Sequence, residues 1–108
     1  MKNKSPMLED INELAPEFVK LTKDVVFDDF WKRPELSARD KSLITISTLA
    51  ALNRTDQIDY HLALGLDNGL TEKEIVATLT HSAFYAGWPC AVTALVHLKS
   101  VLEGRKRE

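Results

Sequence analysis

The segment Thr71-Glu72-Lys73-Glu74 constrains the fold of this chain more than any other. Threonine followed three residues later by glutamate forms a capping box. The hydroxyl accepts from the N3 amide, and the carboxylate reaches back to the amide of the capping residue. Ile75, Val76, Leu79 and Ala83 follow at helical rather than alternating spacing. Together these predict a helix from Thr71 to about Ala86, with those four residues facing inward. Gly87-Trp88-Pro89 predicts a sharp corner, and Pro89 suits the first turn of a final helix, where a missing N–H costs nothing. Val92, Leu95, Val96 and Leu102 are the expected inward face of that helix, which should fray after Gly104.

The rest of the chain reads the same way. Asn68-Gly69 is a helix stop in which glycine supplies a left-handed backbone. Before it, Thr55 and Asp56 are expected to cap a helix carrying the stripe Ile58, Leu62, Leu66. Ser37 is the expected N-cap of another helix, with Asp40 facing the positive end of its dipole. In that helix Leu43, Ile44, Ile46, Leu49, Ala50 and Leu52 are apolar almost all round, which suits a core or an interface. The β-branched residues Ile44, Thr45, Ile46 and Thr48 also suit a strand, but the capped start and the length to Asn53 favour helix. Leu8 to Leu14 is a short helical candidate. Pro16 opens another, on which Phe18, Leu21, Val25, Val26 and Phe30 share a face through about Trp31, before Pro34 breaks the chain. The expected fold is all-α, a bundle of about five to six helices forming one domain over residues 1–108.

Length and composition bound the function. At 108 residues the chain supports one domain with a limited core. A formal net charge of −2, with the one basic run Arg105-Lys106-Arg107 beside Glu108, leaves no footprint for nucleic acid. The single cysteine, Cys90, has no partner in the chain for a disulfide or a Cys-x-x-Cys redox pair. The polar start and an apolar-rich run, Leu43 to Leu52, too short to cross a bilayer make a cytoplasmic protein without membrane contact the expectation. The Ser37–Asn53 helix has too little polar surface for a lone small domain, and Phe30-Trp31 adds apolar area, so self-association is expected.

Few side chains offer chemistry. His61 lies one turn after Gln57, and His81 lies one turn before Tyr85, which leads into the Gly-Trp-Pro corner. Imidazole titrates near neutral pH and is a natural proton carrier. His97 reads as structural. No histidine pair has metal-ligand spacing, and no glycine-rich phosphate loop or Gly-x-Ser-x-Gly elbow is present, so neither metal nor cofactor is expected. Cys90 sits in the first turn of a helix, where the dipole favours thiolate, although a small buried residue fits the same place.

Three blocks, Arg39 to Leu52 (RDKSLITISTLAAL), His61 to Ile75 (HLALGLDNGLTEKEI) and His81 to Ala94 (HSAFYAGWPCAVTA), resemble the carboxymuconolactone decarboxylase family in order and spacing, over about residues 27–103. The resemblance implies the all-helical fold shared with AhpD-type alkylhydroperoxidases, assembled as trimers or hexamers. The family's peroxidase branch uses a Cys-x-x-Cys pair, a downstream histidine and an upstream glutamate. Here Arg54 and Gln57 stand at the cysteine positions and Ser42 at the glutamate position, so only His61 remains and a two-cysteine relay has no thiols. The decarboxylase branch, which converts 4-carboxymuconolactone to an enol-lactone and CO2 without a cofactor, is the better match. By that resemblance His61 transfers a proton, His81 and Tyr85 shape or polarise the site, and Arg39, Arg54 and Trp88 contact a small carboxylate or lactone. Two other readings are a family member acting on another small acid, or only binding or assembling, and a one-cysteine peroxidase using Cys90.

Overall fold

A computed structural model describes residues 6–107. Six α-helices, and no strand, occur among them: α1 (Pro6–Ile11), α2 (Pro16–Leu21), α3 (Ala38–Ala51), α4 (Thr55–Asp67), α5 (Glu72–Ala86) and α6 (Trp88–Lys106). The all-α expectation holds. The chain divides after Ala38 into two compact units.

In the N-terminal unit, Pro16 occupies the first turn of α2 as expected. The predicted single helix through Trp31 is instead broken into three. After α2 comes a π-helical segment, Thr22–Phe27, and then a 3-10 turn, Phe30–Lys32. At the first break the Thr22 hydroxyl donates to the Phe18 carbonyl (2.9 Å), a side-chain bond that competes with the regular ladder. The wider turn closes where the Asp28 amide donates to Lys23 (2.8 Å). Phe27, which the spacing did not single out, is buried and stacks on Trp31 at 6.1 Å. Phe18, Leu21, Val25, Val26 and Phe30 are exposed.

The C-terminal unit holds the main core. Ile46 and Ala50 of α3, Ile58 and Leu62 of α4, Ile75 and Leu79 of α5, and Ala94 and Leu98 of α6 form one buried cluster. Each large side chain taken out of water contributes on the order of 1.5–3 kcal/mol. Asp59 meets His97 and Asp67 meets Arg105, both pairs 38 residues apart, so α4 and α6 run side by side in the same direction. The tight link at Gly87 (φ 111°) turns α5 back against α6.

Helix ends follow local chemistry. The capping box at α5 is complete: Glu74 N–H donates to Thr71 Oγ1 (3.1 Å), and Thr71 N–H donates to Glu74 Oε1 (2.9 Å). At the end of α4, Gly69 takes φ 104° and the Leu70 amide donates to the Gly65 carbonyl (2.9 Å), closing a Schellman turn. The apolar contact that such a turn makes is visible too. A Cβ on Gly65 would stand 3.0 Å from Leu70 Cδ1 and 3.0 Å from Ile46 Cδ1, so glycine leaves room for both. Asn53 (φ 58°) ends α3 in the same way, with the Arg54 amide donating to Leu49 (2.8 Å).

Four local expectations are corrected. Thr55 is the first residue of α4, and Arg54 occupies the capping position without a side-chain cap. Val76 is exposed while Ile75, Leu79 and Ala83 are buried. In α6 the buried stripe is Ala91, Ala94 and Leu98, leaving Val92 and Val96 outside. One helix buries one stripe, and alanine on that stripe allows closer approach than valine. Finally, α6 passes Gly104 and runs to Lys106.

Candidate active site

His61 sits on α4 between the buried Ile58, Leu62 and Gly65, which turns its ring toward the edge of the core. The side chain is half-buried and its Nδ1 is buried. Loss of water around the ring holds the imidazole pKa below its ordinary 6.5. Tyr60 meets the His61 ring edge-on at 5.1 Å, and burial pushes its phenol above the usual value. The result is an imidazole whose neutral form is favoured and whose protonated form is a stronger acid than a solvated imidazolium.

His81 and Tyr85 occupy a different setting. Both are exposed on the last turns of α5, one turn apart, with ring centroids 5.2 Å from each other. One turn beyond Phe84, Trp88 opens α6 and meets the Phe84 ring edge-on at 5.6 Å. His81, Tyr85 and Trp88 therefore share one outer surface at the corner between α5 and α6.

The arginines are engaged. The guanidinium of Arg39 pairs with Glu74, whose other oxygen caps α5, and also reaches Asp40 (3.4 Å). A substrate carboxylate at Arg39 competes with these carboxylates. Arg54 is exposed and lies 3.6 Å from Asp56. Cys90 is half-buried, its Sγ 3.9 Å from the Ala51 carbonyl. It lines a shallow crevice with Ala50, Ser82, Ala86 and Gly87 that encloses no room for a water molecule, and none of the three histidines lines it.

Sequence reasoning missed one arrangement. His97 Nδ1 lies 2.7 Å from Asp59 Oδ1, a carboxylate–imidazole pair bridging α4 and α6. Nothing in the local sequence around either residue signals it, because the pairing depends on two helices aligning side by side. A second bridge joins the Asn68 amide to the buried Ser42 hydroxyl at 3.0 Å, tying the end of α4 to α3. Ser42 thus serves packing at the position where the peroxidase pattern would carry an acid.

Residues 16–99 match the profile of the "Carboxymuconolactone decarboxylase family". The chain is similar to the 4-carboxymuconolactone decarboxylase of Acinetobacter baylyi, with 32% identity over 87% of this chain and 70% of that protein. It is also similar to the nitrosuccinic acid decarboxylase npaB of Metarhizium robertsii, with 26% identity over 89% of this chain. The chain spans 62% of the length of that fungal relative.

Proposed function

The chain belongs to the carboxymuconolactone decarboxylase family, and from that premise we propose that it removes CO2 from a small, electron-poor carboxylic acid, with 4-carboxymuconolactone the first candidate. The similarity to two decarboxylases across most of the chain carries this reading. Their named substrates share a chemical logic. One holds its carboxylate on an unsaturated lactone, the other on a nitro-substituted diacid. When the bond to the carboxylate breaks, the electron pair left behind moves onto the lactone carbonyl or the nitro group. Such a substrate carries its own electron sink.

The protein then has two tasks, to stabilise the developing charge and to deliver a proton to carbon. In this proposal His61 performs the second. Its imidazolium protonates the carbanion carbon as the pair returns, and water reloads the ring, so one proton is taken up for each CO2 released. A half-buried ring with a lowered pKa is a reactive donor. A carboxylate arriving beside it favours the imidazolium, so substrate binding charges the group that the reaction consumes. His81 and Tyr85 polarise or shape the site, Trp88 borders it, and Arg39 or Arg54 holds a carboxylate by exchanging a resident acidic partner. A second reading, turnover of a different small acid, is favoured by the second relative's own substrate.

The test is CO2 release from 4-carboxymuconolactone and from nitrosuccinate by the purified protein and by His61→Gln. The wild type should turn over one of them. The variant should lose at least about a hundredfold in kcat while keeping its circular dichroism spectrum. Undiminished turnover in His61→Gln removes His61 from the chemistry, and inactivity of the wild type toward both acids removes the substrate class. The pH profile adds a check. kcat/KM should fall as pH rises through a pKa below 6.5, and the same limb in kcat should lie higher, because bound carboxylate raises it.

A further inference from the structure

Consecutive residues of an α-helix point about 100° apart, and their side chains do not ordinarily face each other. Tyr60 and His61 depart from that rule. Their ring centroids lie 5.1 Å apart, with the ring planes at 87°. That is the edge-to-face arrangement aromatic pairs favour, at about 4.5–7 Å. Helix geometry shows how the two rings meet. Side chains on a helix lean back over the preceding turn, so the residues three and four places after Gln57 both lean over it. Tyr60 and His61 are those two residues, and their rings converge above one turn of α4.

We propose that Tyr60 is the positioning residue of His61. Its ring holds the imidazole in one rotamer and keeps water from one side, so that the proton carried by His61 meets the substrate carbon from a fixed direction. The last clause rests on the decarboxylase reading, whereas the grip of one ring on the other belongs to the chain without substrate.

Three features select this role. The first is protonation. Burial pushes the Tyr60 phenol above its usual value, so it stays O–H throughout the range in which His61 titrates and does not compete for the proton. The second is charge. Each carboxylate of α4 meets a base elsewhere: Asp56 lies 3.6 Å from Arg54, Asp59 2.7 Å from His97 and Asp67 3.1 Å from Arg105. His97 and Arg105 are the bases that α6 brings to these carboxylates. Burial is what lowers the His61 pKa, and a half-buried aromatic ring beside the imidazole supplies burial. The third is precision. Proton transfer to carbon needs the donor in line, and a misplacement of about 1 Å can cost about a hundredfold in rate. A neighbour on the same turn moves with the group it holds, unlike the His97–Asp59 pair, which depends on two helices.

Nuclear magnetic resonance titration of carbon-labelled histidine in wild type, Tyr60→Phe and Tyr60→Leu tests the grip without substrate. The His61 signal is the one lost in His61→Gln. Leucine is a strong helix former and phenylalanine keeps the ring, so both variants should retain the wild-type circular dichroism spectrum. Wild type and Tyr60→Phe should show a nuclear Overhauser effect between the ring protons of residues 60 and 61. In Tyr60→Leu the His61 pKa should rise toward 6.5 while His81 and His97 keep theirs, and Tyr60→Phe should leave all three histidines unchanged. Turnover of the acid that the wild type accepts should then be compared on the low-pH plateau, where His61 is protonated in every variant. There Tyr60→Leu should lose about tenfold or more in kcat with KM within about twofold, and Tyr60→Phe should match wild type.

No Overhauser contact in wild type, or a His61 pKa unmoved in Tyr60→Leu, overturns the proposal. A His61 pKa that moves as far in Tyr60→Phe assigns the effect to the hydroxyl and overturns it as well. A loss in KM with kcat intact makes Tyr60 a substrate contact, and full activity in Tyr60→Leu means that the grip serves no chemistry; either result removes the positioning role. Should Tyr60→Leu not fold, the ring contact and the Tyr60→Phe titration still decide. If wild type turns over neither acid, the decarboxylase reading falls, and the titration alone decides whether Tyr60 holds His61.

Discussion

The inner seam of the C-terminal unit and the outer face of its α5–α6 corner are built from the same residue types, yet they are opposite in burial. Ile75 and Leu79 are fully buried, while Val76 and Phe84 on the same helix stand in water. Ala94 and Leu98 are buried, while Val92 and Val96 of the same helix are not. Two neighbouring stripes of one helix are both apolar, and the single chain can cover one of them. The difference teaches that apolar periodicity finds helices but does not assign which stripe enters the core and which stays outside it. The largest expected effect tests this directly. Leu79→Ala should cost about 2–5 kcal/mol in urea unfolding, through lost burial and the cavity left behind. Phe84→Ala, a larger truncation, should stay within about 0.5 kcal/mol. Equal losses at the two positions would break the comparison.

What was legible in the sequence follows the same division. The capping box at Thr71, the stop at Gly69, Pro16 at a helix start and the turn at Gly87 all came through, because each is decided by a few neighbouring residues. The inward face of α6 did not, because a rotation of one residue exchanges Val92 and Leu95 for Ala91 and Ala94, and only packing against α4 and α5 decides it. His61 was found as the histidine retained at a family position, and the structure adds its half-buried setting. The His97–Asp59 pair was not found, since its partners are 38 residues apart and meet through parallel helices.

Local signals that are legible should also be worth a predictable amount. Thr71→Ala removes the acceptor of the Glu74 amide, and should lower stability by about 1 kcal/mol. Thr71→Ser keeps the hydroxyl and should recover most of it. The loss should add to that of a distant core truncation, because the cap acts on the start of α5 and not on the packing of its middle. Glu74 complicates the arithmetic in an informative way. Its carboxylate holds both the Thr71 amide and Arg39, and Glu74→Gln keeps an oxygen for the amide while removing the charge facing Arg39, so its loss reports the ion pair and should stay within about 1 kcal/mol. A Glu74→Gln protein as stable as wild type would show that the Arg39 contact contributes nothing to stability, as is found for many half-exposed ion pairs.

The smallest effect lies at His61, which is neither fully buried like the seam nor exposed like the outer face. Its folded pKa is held below 6.5 by burial, whereas in the unfolded chain the ring is solvated and titrates near 6.5. Above pH 6.5 both states are neutral at this position and the group adds no pH dependence. As pH falls below 6.5 the unfolded chain takes up a proton that the folded chain resists, so stability falls until the pH passes the folded pKa. His61→Gln removes this contribution while keeping a polar side chain of similar reach. The plot of Tm against pH should therefore flatten below pH 6.5 in the variant and coincide in slope with wild type above it. A slope unchanged below pH 6.5 would mean that the ring is as solvated as an outer-face residue, and the distinction between a half-buried proton donor and an exposed histidine would be lost.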